Sequence, residues 1–286
     1  MYKILDKELL TEDITKFDIY CPTVAYKAKA GQFVIIRINK QGERIPLTIA
    51  DSSPETGIIT IISLQRGKTT CLLSNLNQGE YILDLVGPLG KESEIENFGR
   101  VAVIGGGVGI APIYPIVKAL KNKGNHLISI IGAKNKESLI LIKEIKNQSH
   151  EFYICTDDGS YSYKGFVSDF LAEYLANTTN EKIDRVIAIG PVPMMKAVCN
   201  ITRPYNIKTI VSLNSIMVDG TGMCGTCRVE IGEKTMFACV DGPEFDGHLV
   251  NFDLLIHRQN IYLKEEEQSL KEYLKDHKCK IFNHSG

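Results

Sequence analysis

The sequence predicts a β plus α/β chain: an N-terminal antiparallel β-barrel over 1–98, a doubly wound parallel sheet over 99–210, a small cysteine-bearing region over 211–252, and a tail with a helix over 253–286. Three observations carry this expectation. Short β-branched runs punctuated by Gly, Pro, Asn and Asp fill the first hundred residues. From residue 100 apolar strands alternate with helical patterns, which is the texture of a parallel sheet with helices on both faces. Three cysteines then crowd into a glycine-rich stretch after residue 218. At 286 residues the chain exceeds the usual reach of one hydrophobic core, so several domains are expected.

In the first region Gln32 to Ile38, Gly57 to Leu64 and Tyr81 to Val86 read as strands, and a small barrel accommodates them best. In the second, Arg100-Val-Ala-Val-Ile-Gly is a short buried strand running into glycines, followed by a helix over Ala111 to Asn122. Strand His126 to Gly132, a helix over Lys136 to Asn147, strand Phe152 to Thr156, a helix over Gly165 to Ala176 and strand Arg185 to Gly190 complete the alternation. The final helix, Leu263 to Lys278, is charged, with Leu263, Leu270 and Leu274 on one face, and reads as a solvated terminal helix.

Gly105-Gly106-Gly107-Val-Gly109-Ile-Ala111-Pro112 follows a strand and opens a helix, a context in which backbone N–H groups and the helix dipole hold a pyrophosphate. A tight turn is the alternative. Two more loops leave the same carboxyl edge of the sheet, where ligands bind in open parallel sheets: Thr156-Asp157-Asp158-Gly and Gly190-Pro191-Val-Pro-Met194-Met195. Asp157 and Asp158 would repel a 2′-phosphate and accept hydrogen bonds from a ribose, so NAD(H) is favoured over NADP, with Lys134 and Lys136 arguing the other way.

Asp219-Gly-Thr-Gly-Met-Cys224-Gly-Thr-Cys227, with Cys239 farther on, reads as an iron-sulfur site. The two-residue gap lets neighbouring thiolates share a metal centre, Cys239 supplies a third sulfur, and Asp219 stands where a fourth ligand is expected. Three soft thiolates and one oxygen donor are an unusual zinc set. A small zinc knuckle or a pair of buried, inert cysteines remains open. The other five cysteines, Cys21, Cys71, Cys155, Cys199 and Cys279, are scattered and read as free thiols in a reducing compartment.

Net charge is −1, from 33 basic and 34 acidic residues, which gives no electrostatic footprint for nucleic acid or an anionic membrane surface. No apolar run approaches a membrane span or a signal peptide, so a cytoplasmic protein is expected.

A barrel carrying Arg44-Ile-Pro46-Leu47-Thr48 and Gly67-Lys68-Thr69-Thr70, then Gly-Gly-Gly-Val-Gly-Ile-Ala-Pro, then a cysteine loop, resembles the ferredoxin-NADP reductase superfamily. The chain looks most like the branch that holds the electron-transfer subunits of class 1B dihydroorotate dehydrogenases and the small subunits of electron-bifurcating NADH-dependent ferredoxin:NADP oxidoreductases. The resemblance covers about residues 1–255. It implies FAD in the barrel, NAD(H) on the second domain and a 2Fe-2S cluster in the third. It selects Pro46, Leu47 and Thr48 against the isoalloxazine, with Thr48 near N5, and Gly67, Lys68, Thr69 and Thr70 at the FAD pyrophosphate. The superfamily's arginine sits one step later than Arg44, where this chain has Ile45. The dihydroorotate branch places cysteine where this chain has Asp219, while the bifurcating small subunits resemble it in having aspartate, a ligand change expected to tune the cluster potential.

The implied function is an oxidoreductase subunit that passes electrons between NAD(H) and a larger flavin and iron-sulfur subunit in a heterodimer. No side chain need act as acid or base in such a reaction. The alternatives are the electron-transfer subunit of an NAD-dependent dihydroorotate dehydrogenase, the NAD-reactive subunit of a cytoplasmic hydrogenase, and a non-redox NAD-binding module with structural zinc.

Overall fold

The computed structural model describes residues 1–177 and 182–276. Its first sheet is made of β1 (Tyr2–Leu9), β2 (Ile14–Tyr20), β3 (Phe33–Arg37), β4 (Ile45–Ser53), β5 (Ile58–Leu64), β6 (Tyr81–Ile82) and β7 (Asp84–Leu89), in the order β6-β1-β2-β5-β4-β3-β7. Every neighbouring pair is antiparallel. The expected strand over 81–86 is in fact two. Leu83 separates β6 from β7, and these are the two ends of the sheet order, so one residue draws the edges together into a nearly closed barrel. Alternate residues Phe17, Ile19, Ile59 and Ile61 fill its interior with no solvent exposure, each such side chain contributing roughly 1.5–3 kcal/mol of apolar burial. A one-turn α1 (Pro22–Ala25) and the eight-residue α2 (Lys68–Asn75) cover the barrel.

The second sheet holds β8 (Arg100–Gly106), β9 (His126–Ala133), β10 (Glu151–Thr156), β11 (Tyr163–Lys164), β12 (Arg185–Ile189) and β13 (Lys208–Ser212), with α3 (Ile110–Asn122), α4 (Ile142–Gln148), α5 (Val167–Asn177) and α6 (Val192–Thr202) between them. The order β11-β10-β9-β8-β12-β13 is parallel throughout. Strand β8 is buried along nearly its whole length, as a strand covered by helices on both faces must be. On α3, Ile110, Ile113, Ile116, Val117 and Leu120 recur at helical spacing and are fully buried.

One helix differs from expectation. The run 136–147 forms a 3-10 turn at Lys136–Ser138, and α4 starts only at Ile142. Leu139, Ile140, Leu141 and Ile142 are consecutive and apolar rather than periodic. Leu139 and Ile140 enter the core, and Leu141 takes a left-handed backbone (φ 52°) that ends the first turn before the helix begins.

A hairpin, β14 (Arg228–Ile231) with β15 (Lys234–Phe237), follows the cysteine loop. The next strand, β16 (Glu244–Asp246), adds to β13 as an antiparallel edge, so the cysteine region is sewn into the nucleotide sheet. Helix α7 (Phe252–Gln259) packs on α6 and β14. Helix α8 (Leu263–Asp276) lies against α2 of the barrel, with Tyr273 buried and its hydroxyl accepting a hydrogen bond from Asn75. Leu270 and Leu274 are half-buried beside it, whereas Leu263 is exposed; residues 277 and 278 of the expected helix and Cys279 lie outside the described residues.

The barrel and the nucleotide sheet share cores. Ile14, Ala50 and Ile62 pack with residues of β8, β9 and α3, and Phe33 and Ile35 pack with Met217, Cys227 and Cys239. Polar groups close the seam: Lys118 of α3 pairs with Asp51 of β4 at 3.2 Å, and the buried Arg185 pairs with Glu94 at 2.8 Å while stacking over Phe98. Glu244 is sunk beside them and accepts a hydrogen bond from Ser93. Desolvation raises its pKa against the opposing pull of Ser93 and Arg185. A carboxylate raised in the folded state stabilises below its unfolded pKa and loses that contribution as pH rises through its folded value. Glu244→Gln keeps an acceptor for Ser93 and removes the ionisation. It is expected to give a Tm equal to wild type in acid and higher at neutral and alkaline pH; parallel pH profiles of Tm would contradict this.

Candidate functional site

The glycine turn and the cysteine loop selected from sequence each lie against the barrel that carries the third segment. Strand β4 carries Pro46, Leu47 and Thr48, all half-buried, with Arg44 exposed just before it. Opposite them in register on β3 stand Ile35, Val34 and Phe33. Gly67 caps the start of helix α2, where Thr70 closes the turn: its hydroxyl accepts from the N–H groups of Arg66 and Gly67 and donates to the Gly67 carbonyl. Thr69 is buried and donates to Glu43 at 3.1 Å, which ties this turn to the start of the Arg44–Thr48 segment. Gly67 has open space where a Cβ would stand, and neither Arg44 nor Lys68 has a carboxylate partner among the described residues. A free helix start and two unpaired cations suit an anionic pyrophosphate.

At the carboxyl edge of the second sheet, Gly105 and Gly106 end β8, and Gly107–Gly109 makes a 3-10 turn into α3. Close packing fixes these glycines. A Cβ on Gly109 would lie 2.4 Å from the Ile189 carbonyl oxygen, and one on Gly106 would lie 2.3 Å from the Met194 sulfur. Gly107 alone faces open space and has a left-handed φ of 56°, a place where backbone and ligand can approach closely. The Gly190–Met194 loop therefore abuts the glycine turn. Met195 is fully buried in the core and Ala111 nearly so, while Pro112, Pro191 and Met194 lie closer to the surface. Asp157 and Asp158 are exposed, and their N–H groups donate to the carbonyls of Ala133 and Lys134. Desolvation and the neighbouring Asp158 raise the Asp157 pKa, whereas hydrogen bonds from Ser160 lower that of Asp158. The glycine turn touches β5, next to the strand that carries Thr48.

In the cysteine loop, Gly220, Gly222 and Gly225 all have left-handed backbones. Cys227 and Cys239 are buried with their sulfurs 3.1 Å apart, and Cys224 is exposed on the loop. Burial and the Cys227 thiol push Cys239 up to about 12, and a bound metal would reverse that by stabilising the thiolate. Asp219 folds the loop over itself. Its Oδ1 accepts from the Thr221 N–H and hydroxyl, and its Oδ2 accepts from the Cys224 N–H at 3.0 Å. These bonds hold its pKa well below the usual carboxylate range. A carboxylate offers about four acceptor positions, so Asp219 can brace the loop and still ligate through Oδ2. Among the described residues no three His, Cys, Asp or Glu side chains are gathered as a preformed metal site. The donor set nevertheless fits an iron-sulfur centre: two buried thiols side by side, a third on a glycine-rich loop and one oxygen.

Gly220 fixes where this loop sits. A Cβ there would come within 2.6 Å of Ile35 and 2.7 Å of Leu89, side chains of β3 and β7. The cysteine loop is therefore seated on the barrel strand whose register partner is Pro46.

Residues 103–200 match an oxidoreductase NAD-binding domain, and residues 214–251 match the iron-sulfur cluster binding domain of dihydroorotate dehydrogenase B. A Thermotoga maritima homologue of the dihydroorotate dehydrogenase B (NAD(+)) electron transfer subunit is 46% identical, over 96% of this chain and 95% of its own length. The chain belongs to the dihydroorotate dehydrogenase B electron-transfer subunit family. Within it, an uncharacterized protein of the adh 3′ region of Clostridium beijerinckii is 48% identical over 95% of this chain and 94% of its own. A chain in the structure of the NADH-dependent reduced ferredoxin-NADP oxidoreductase, solved for insight into flavin-based electron bifurcation, superposes with a TM-score of 0.90 at 46% identity, covering 96% of this chain and 98% of its own.

Sequence reasoning missed two features of this member of the family. The contact of Gly220 with Ile35 joins residues far apart in sequence. Two arginines, Arg228 and Arg258, line a cavity with Cys224, and Arg258 comes from α7, outside the matched iron-sulfur segment. A lone arginine at the end of a short helix beyond the cysteine motif carries no signal of such a role. Among the described residues, no helix is long and apolar enough to cross a membrane.

Proposed function

We propose that this oxidoreductase chain is the electron-transfer subunit of a cytoplasmic heterodimer, passing electrons between NAD(H) and a larger flavin and iron-sulfur subunit, as in an NADH-dependent ferredoxin:NADP oxidoreductase. FAD supplies the conversion between the two-electron chemistry of NAD(H) and the one-electron chemistry of a 2Fe-2S cluster. The chain's own part is to bind and align. Pro46, Leu47 and Thr48 back the flavin ring, and Gly67–Thr70 with Arg44 and Lys68 takes its pyrophosphate. Gly105–Gly109, Gly190–Met194 and Asp157–Asp158 hold the dinucleotide at the sheet edge. Asp219, Cys224, Cys227 and Cys239 hold the cluster.

The observation that supports this reading is the seat of the cysteine loop on β3, where Gly220 lies against Ile35, the register partner of Pro46 on β4. A zinc-stabilised knob would have no reason to be there. Exposed Met223, Val218 and Val240 around the loop give a partner an apolar approach to the cluster. Asp219 in place of a fourth cysteine supports the ferredoxin:NADP reading over dihydroorotate oxidation.

The test is the anaerobic visible spectrum of the purified chain. Flavin bands over broad iron-sulfur absorption, both bleaching on addition of NADH, are expected. A protein still colourless after reconstitution with iron, sulfide and FAD would remove the redox reading. Co-purification with a dihydroorotate-oxidising flavoprotein would replace the ferredoxin:NADP assignment.

A further inference from the structure

Arg228 and Arg258 stand beside the cluster loop, and neither has a carboxylate partner among the described residues. They line a cavity of about 180 Å³ together with Ser215, Cys224 and Thr226. Arg228 follows Cys227 directly at the start of β14. Arg258 arrives from the last turn of α7, and its Nη2 donates to the Thr226 carbonyl at 3.1 Å. Thr226 lies between Cys224 and Cys227, so this one bond fastens the ligand loop to a helix.

That helix is itself well held. Asn251 caps α7 through the Leu254 N–H and reaches Glu230 of β14 at 2.8 Å. The guanidinium is thus delivered by a rigid element with a fixed reach.

Two cations lining a recess call for an anion. The usual neighbour would be Asp or Glu, and among the described residues none pairs with either arginine. A 2Fe-2S centre held by three thiolates and one carboxylate is anionic when oxidised and gains one more negative charge on reduction. Positive charge close by favours the more negative state, and the effect grows in a partly enclosed, low-dielectric setting. Arginine suits the task because it stays charged and its planar fork can bond a carbonyl while presenting other N–H groups elsewhere.

We propose that Arg258 and Arg228 are the counter-charge of the cluster, and that Arg258 is also a positioning residue that holds the Cys224–Cys227 loop through Thr226. The two arginines raise the reduction potential of the centre, and Arg258 alone keeps its loop closed. The inference rests on the cluster reading above, and its test separates the two.

The measurement is potentiometric titration followed by the electron paramagnetic resonance of the reduced cluster, with iron release to a chelator as a second readout, on wild type, Arg258→Gln, Arg258→Lys and Arg228→Gln. Both glutamine variants are expected at a more negative midpoint than wild type, with Arg258→Lys returning towards it. Iron release is expected to be several-fold faster in Arg258→Gln and unchanged in Arg228→Gln. A wild-type protein that takes up no cluster sinks the proposed function itself. A wild-type cluster with midpoints unchanged in both glutamine variants overturns the counter-charge role. Should Arg258→Gln lose its cluster outright, Arg228→Gln decides the charge effect alone. Equal iron release in wild type and Arg258→Gln overturns the positioning role.

Discussion

Cys239→Ser is expected to yield a yellow protein that keeps its flavin and has lost nearly all of its iron and acid-labile sulfide. The reason is geometric. Cys239 is almost fully buried, its sulfur lies 3.1 Å from that of Cys227, and it sits beyond the loop in the stretch after β15. Serine fits the space, so the fold should survive, but its oxygen is a hard and weakly acidic donor in a site built for soft thiolates. Cys239 is not one of the β4 and α2 residues proposed to hold the flavin, so FAD content should be unchanged. Cys199→Ser is the matched control. That thiol is just as buried and is likewise pushed up to about 12 by desolvation, but it lies on α6, outside the cysteine loop, packed against Gly247. Iron and flavin analysis of the two variants decides the matter: equal iron in both would remove Cys239 from the ligand set.

Much of this contrast was legible in the sequence, because a cluster loop is written locally. Cys224, Cys227 and the glycines around them fall within one short run, and so do the glycine turn at 105–109 and the Pro46–Thr48 segment. Strand and helix alternation likewise shows in short windows, since periodicity needs only a few residues to declare itself. What stayed hidden is non-local. The join of β16 to β13 depends on three residues whose pairing has no signature of its own. The division of 81–86 at Leu83 follows from barrel closure rather than from composition. The helix expected over 136–147 failed where Leu139 and Ile140 gained more from entering the core than from continuing a helical turn. Arg258 illustrates the same limit at the site: its partner is a backbone carbonyl 32 positions away, a distance no motif spans.

The seating of the cluster loop on the barrel is the contact on which the proposed electron path depends, and Gly220→Val tests it. Gly220 has a φ of 79°, a backbone that β-branched residues rarely adopt, which costs on the order of 1–2 kcal/mol. A Cβ there would also stand 2.6 Å from Ile35 and 2.7 Å from Leu89. Those contacts are with side-chain ends, so the barrel can yield slightly. The loop, held on its other side by the Arg258 bond to Thr226 and by the bonds of Asp219, is displaced away from β3 instead. None of the four proposed cluster ligands and none of the proposed flavin residues is altered. Gly220→Val is therefore expected to retain both cofactors and to accept electrons from NADH onto flavin at the wild-type rate, while the cluster is reduced more slowly. Stopped-flow absorbance, separating flavin bleaching from iron-sulfur bleaching, reads the two steps independently. Slowing of both steps together would mean that the barrel itself had been disturbed. Wild-type rates for both would mean that the contact of Gly220 with Ile35 and Leu89 does not set the electron path.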